Sequence, residues 1–229
     1  MCDPHPASGF EMTSRQKTKF RMIDRDIFEV IKRKHGQYAS WALWTDSSGR
    51  PKDNVGDLSF FDLEKNNRVL GLLHSTFVLV GLNISRKVQE PLGNFHDKRS
   101  HSMDYKLRYA LKGTPLWGSY MTDFIKDFEQ KVSGKVMSYL SQNKDLEEKN
   151  VEILRVELND LGFRRPTFVA FGGDVHKVIV RNLGEEFDIW KLPHYSKRIS
   201  KENYRKEVQV ILNAKLNMSS RSMASTLGS

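Results

Sequence analysis

The chain has 229 residues, enough for one sizeable domain with tails, and 38% of them are hydrophobic, which suffices for a single packed core. Its 37 Lys and Arg outnumber 28 Asp and Glu, a net charge of +9; this favours an anionic partner, nucleic acid first and an anionic membrane surface second. A single cysteine, Cys2, excludes an internal disulfide, and no Cys/His cluster has zinc-like spacing, so neither a metal nor a cofactor is expected.

In chain order, residues 1–16 read as a flexible arm. It lacks the apolar stretch of a secretory signal, which with the lone cysteine points to an intracellular, cytoplasmic protein. Residues 24–34 set Ile27, Phe28, Val30 and Ile31 among charges and predict an amphipathic helix. Residues 41–53, rich in Ser, Gly and polar side chains, read as a loop. Four short apolar segments follow, at 75–82, 118–125, 167–171 and 187–192; the first and third are nearly continuous apolar runs, as in strands buried on both faces. The longest run, 76–82, is too short to span a bilayer, so no membrane association is expected. Helical patterns at 106–111, 124–140, 146–161, 175–182 and 201–216 alternate with these segments. The alternation predicts a three-layer α/β/α domain over residues 17–217 with a central, mainly parallel four-stranded sheet. Residues 218–229 read as a disordered tail, and 126–166 as helix-rich without a chemical motif. A monomer is expected.

In such domains ligands bind where loops leave the carboxyl ends of the strands. Three loops stand out. Gly81-Leu82-Asn83-Ile84-Ser85 follows the first strand; Asn83 either hydrogen-bonds local backbone or projects into a cleft and fixes a water. Phe171-Gly172-Gly173-Asp174 reads as a tight strand-to-helix turn. Pro193-His194 ends the last strand and leads into Ser196, Lys197, Arg198 and Ser200, residue types that bind phosphate; Ser200 also suits a helix N-cap, itself an anion site. No GxGxxG or GxxxxGK[ST] motif occurs, which counts against nucleotide-dependent enzymes.

This ordered set resembles the uracil-DNA glycosylase superfamily. Gly81-Leu82-Asn83-Ile84-Ser85 is similar to its first signature loop in the Asn form, and His194-Tyr195-Ser196 to its second in the His form. Phe95 lies where the family has a stacking Phe. Residues 120–126 resemble its middle strand, and 168–173 its strand-then-glycine segment. Ile84 and Tyr195 stand where the family has prolines, and Asp123 where base-reading branches have Asn; the cysteines of iron–sulfur branches are absent.

The resemblance implies an enzyme that flips a uracil-like or modified pyrimidine nucleotide out of DNA and hydrolyses its base–sugar bond, in base-excision repair or in defence against foreign modified DNA. It implies catalytic roles for Asn83, orienting a water, and His194, donating to the base carbonyl. Phe95, Asp123 and Ser85 would bind the base; Arg86, Lys87, Ser196, Lys197, Arg198, Ile199 and Ser200 would contact DNA, with Ile199 or Arg198 filling the hole left by the base. Two alternatives are a catalytically altered DNA-binding member of the same fold and an unrelated α/β hydrolase acting on nucleotides.

Overall fold

The computed structural model describes residues 20–126, 128–162 and 165–226, with side chains to 218; the arm expected at 1–16 and the last three residues of the expected tail lie outside this range. The chain forms a three-layer α/β/α fold. Its elements are α1 (Arg25–His35), β1 (Ala39–Trp41), β2 (His74–Asn83), α2 (Asp104–Leu111), β3 (Ser119–Ile125), α3 (Ser133–Gln142), α4 (Lys144–Asp160), β4 (Thr167–Phe171), α5 (Gly173–Leu183), β5 (Ile189–Leu192) and α6 (Lys201–Thr226), with short 3₁₀ turns between β1 and β2.

The sheet runs β1-β3-β2-β4-β5, and every pairing is parallel except β1 on β3. The four expected strands are present. The fifth, β1, falls partly in the stretch read as a loop. Three residues are too few to show a strand period; what holds them is tertiary, namely pairing with β3 and the Trp41 ring edge-on to Tyr120 at 5.1 Å.

β2 is central. Val78, Leu79 and Val80 are fully buried, as are Met121 and Phe124 of β3 and Phe168, Val169 and Ala170 of β4, which accounts for the unbroken apolar runs. On one side α4 packs on β3 beside α1 and α3. On the other, α5 covers β2, β4 and β5, and α6 packs along α2 and β5.

α1 begins where Asp24 Oδ1 accepts from Ile27 N (2.8 Å) and ends in Lys32, Arg33, Lys34 and His35, basic residues suited to a helix C-terminus. Between 124 and 140 the helical pattern was misleading: β3 continues through Ile125, and the helix starts only at Ser133. α6 runs to Thr226, past the point where a disordered tail was expected. No glycine or proline interrupts residues 217–226, and extending an existing helix is far easier than nucleating one. No described helix is long and apolar enough to cross a membrane.

Because β2, β3, β4 and β5 are parallel, Asn83, Ile125, Phe171 and Leu192 all end at one edge of the sheet. The loops that leave them share that edge.

Candidate functional site

At this edge lies a cavity of ≈ 510 Å³. Seven residues singled out from sequence line it: Asn83, Ser85, Arg86, Phe95, Asp123, His194 and Ser196. They come from four separate stretches of chain, brought together by the strand order.

Asn83 is the last residue of β2. Its Nδ2 donates to the main-chain carbonyls of Ile84 (2.9 Å), Phe128 (2.9 Å) and Gln130 (2.7 Å). The loop after β3 therefore clamps the amide. Both Nδ2 hydrogens are committed, which leaves Oδ1 as the accepting atom at the cavity wall. The expected local backbone bonding is present, to Ile84, and Asn83 is also among the residues that line the cavity.

His194 is held from the other end of the sheet. Ser196 N–H donates to its Nδ1 at 3.1 Å, with Ser196 Oγ 2.7 Å away. A backbone N–H can only donate, so the neutral imidazole carries its proton on Nε2. His194 is exposed at the cavity rim, but packing of its ring against neighbouring groups partly desolvates it and pushes its pKa below the ordinary imidazole value, which favours the neutral ring. The Tyr195 ring stacks on it at 4.5 Å and 18°, and stands edge-on to Phe171 at 5.8 Å. Gly172, at φ +99°, lies beneath; a Cβ there would come within 3.4 Å of His194 Cβ on a backbone strained for any side chain.

The floor is Asp123, on β3 beside Gly81 of β2. A Cβ at Gly81 would overlap Asp123 Oδ1 and reach within 3.3 Å of Phe95 Cζ, so glycine is what lets carboxyl and ring converge. Phe95 is nearly buried and has a left-handed φ of +63°, an uncommon conformation for a bulky residue. It is held by Trp44 Nε1, which donates to its carbonyl at 3.2 Å, and by its own N–H, which donates to Asn94 Oδ1 at 3.1 Å.

Asn94 Nδ2 in turn donates to Asp123 Oδ2 at 2.8 Å. Burial raises the Asp123 pKa to about 7, against the opposing pull of the Asn94 donor and the Lys126 charge. Burial likewise raises the neighbouring Asp104 to about 6, although Asp97 N–H donates to its Oδ2 at 2.8 Å. Both carboxyls bind protons more tightly folded than unfolded. Stability is therefore fullest below about pH 4 for these groups and falls as pH rises through 6 to 7, with a slope for Asp123 alone approaching about −1.4 kcal/mol per pH unit. Denaturant unfolding of Asp123→Asn between pH 4 and 8 should show a shallower fall than wild type; an unchanged slope would mean that Asp123 titrates normally.

The basic residues divide. Arg86 lines the cavity but pairs with Asp97 (3.1 Å), which also binds Arg99. Ser196 and Lys197 line an adjoining hollow of ≈ 790 Å³ that shares Gly172, Gly173 and His194 with the cavity. Lys197 pairs there with Glu207 at 2.7 Å. Lys87, Arg198, Ile199 and Ser200 line neither space. Ile199 packs against the core instead of protruding, whereas Arg198 is exposed. Ser200 Oγ accepts from Asn203 N at 3.1 Å and caps α6.

Sequence reasoning missed Asn94, Asp104, Gln130 and Lys106. The last is a buried lysine whose Nζ donates to the carbonyls of Lys197 and Ile199, both at 2.8 Å, pinning the loop that begins at His194. Asp104 and Lys106 sit on a helix without a motif, and Gln130 in a stretch read as chemically silent; none carried a local signal. Compared with protein-family models and with curated proteins, the chain matches none.

Proposed function

We propose that the protein is a monofunctional DNA glycosylase of the uracil-DNA glycosylase kind, which extrudes a pyrimidine nucleotide from DNA into the cavity and hydrolyses its N-glycosidic bond. The observation that carries the reading is the convergence, on one nucleotide-sized cavity, of a clamped amide with a free Oδ1 and an imidazole locked as an Nε2–H donor.

As the base–sugar bond breaks, the bonding electrons leave with the base and positive charge builds on the sugar. Asn83 Oδ1 accepts a hydrogen bond from a water and aims its oxygen at C1′; once the C–O bond forms, the spare proton passes to solvent. His194 Nε2–H donates to the base oxygen that gains negative charge. The base lies against the Phe95 ring, and Asp123 reads its edge. Ionised, Asp123 accepts from a ring or exocyclic N–H and repels a base oxygen; protonated, it donates. Its titration near neutral pH makes a modified pyrimidine that presents an N–H the favoured substrate above pH 7. Lys191 and Lys206, exposed at the adjoining hollow, and Arg198, exposed on the loop that follows His194, suit the DNA backbone. We infer a monomer acting in the cytoplasm, in repair or in defence against foreign DNA.

The test is incubation with DNAs bearing uracil, mismatched thymine and modified pyrimidines, followed by alkali cleavage of abasic sites. Wild type should release at least one base, and His194→Ala should do so about 10²- to 10³-fold more slowly, the usual cost of a lost oxyanion donor. Absence of cleavage across the panel, or an undiminished His194→Ala rate, would remove the proposal.

A further inference from the structure

A separate cavity of ≈ 370 Å³ lies between α2, the N-terminal end of α6 and the loop around residues 46–51. On α2 its lining is Tyr105, Arg108 and Tyr109, spaced i, i+3, i+4, with Lys112 just past the end of the helix, on a stripe distinct from the position of Asp104 at the first cavity. On α6 it is Lys201 and Arg205, one turn apart. Four cations thus face one carboxylate, Asp46, which pairs with Lys112.

The two guanidiniums are the unusual part. Arg108 is buried, and its hydrogen bonds go to the carbonyls of Thr45 (2.8 Å), Asp53 (2.8 Å) and Pro51 (2.7 Å). Arg205 Nη1 donates to the Tyr109 carbonyl at 2.6 Å. Carbonyls satisfy donors without cancelling charge; the Asp46 and Asp53 carboxylates act on the Arg108 charge from a distance, but among the described residues neither guanidinium forms a direct ion pair. Lys201 Nζ lies 4.3 Å from the Tyr109 ring centroid and pairs with Glu202 outside the cavity lining. Ser200 caps α6, so the first-turn N–H groups of that long helix add positive potential at the same end.

We propose that this cavity is an anion site that takes a phosphate group, either a phosphodiester of DNA or the terminal phosphate of a nucleotide. Lys201, Arg205 and Lys112 contact the phosphate, Arg108 supplies fixed charge from below, and the tyrosines wall the site. The site stands apart from the proposed excision chemistry, and its test involves no base release.

The experiment is calorimetric titration of the full chain with inorganic phosphate. The variant is Lys201→Gln/Arg205→Gln, which removes both charges and keeps polar side chains at both positions. A control, Lys65→Gln/Lys149→Gln, removes the same charge from exposed sites elsewhere. Phosphate affinity should fall at least tenfold in the first variant and stay within twofold in the control. Lys112→Gln, away from the α2–α6 contact, should give a smaller loss and serves if the double variant misfolds. Competition separates the two sources. Displacement of phosphate by a 5′-hydroxyl oligonucleotide identifies a phosphodiester; displacement only by a 5′-phosphorylated oligonucleotide or mononucleotide identifies a terminal phosphate. No phosphate binding by wild type, or equal binding by the Lys201/Arg205 variant, overturns the proposal.

Discussion

Replacing Asn83 with alanine is expected to slow base release by about 10²- to 10⁴-fold, the range for a positioned group that manages a proton in the transition state, while affinity for DNA carrying an abasic site is retained. Replacing it with aspartate should do no better, and this is the sharper test. In simple acid–base terms a carboxylate is the stronger activator of water. Here, however, Nδ2 faces three carbonyl oxygens at 2.7 to 2.9 Å. An aspartate would set a second, charged oxygen against all three. The repulsion forces the side chain either to rotate away from the cavity or to hold a proton, and neither form is a good base. Single-turnover release by the two variants, with abasic-site binding measured in parallel, decides the matter. An Asn83→Asp rate above wild type would show that the clamp does not set the direction of Oδ1.

The parts of this architecture legible in sequence are those determined by short-range pattern. Val78–Val80 and Phe168–Ala170 are buried on both faces, so their unbroken apolar runs marked β2 and β4. The loops at Asn83 and His194 could be found because parallel strands send their carboxyl-end loops to one edge. β1 could not, because its three residues are held by β3 and not by any period of their own. The supporting groups were equally silent. Asn94 is one residue from Phe95, yet its role depends on Asp123 lying 29 positions away, next to a glycine that makes room for it. Gln130 acts through its backbone, and a carbonyl has no signature in sequence. Tyr195 stood as a departure from a motif; stacking on the imidazole is a way to fix the ring plane that no spacing rule announces. Ile199 looked like a free apolar tip and is instead packed inward, as a loop pinned by the buried ammonium of Lys106 requires.

The largest stability effect is expected at the last residue of the 120–126 segment, to which no catalytic or binding role was given. Lys126, just past β3, is 1% exposed; its Nζ lies 2.6 Å from Glu157 Oε2 and 2.6 Å from Thr122 Oγ1, and sits over the Tyr38 ring at 4.5 Å. Glu157 is fully buried on α4 and also accepts from the Tyr120 hydroxyl, whose pKa is pushed well above the usual phenol value by burial and by the Glu157 charge. Lys126→Met preserves length and apolar stem but leaves Glu157 charged and unpaired, so unfolding free energy should drop by about 3–5 kcal/mol. Lys126→Met/Glu157→Leu removes both charges and should recover most of that loss, since replacing a buried ion pair by apolar groups is often neutral. The pair also reaches the cavity: Lys126 holds the Asp123 pKa down and Glu157 pushes it up. The single variant should therefore move the Asp123 titration further above 7, extending the fall of stability to higher pH, while the double variant largely restores it. Denaturant melts of both variants from pH 4 to 9 measure the two effects together. A Lys126→Met cost below about 1 kcal/mol, or a pH profile parallel to wild type, would mean that β3 and α4 are held by apolar packing alone and that the buried pair does not tune the floor of the cavity.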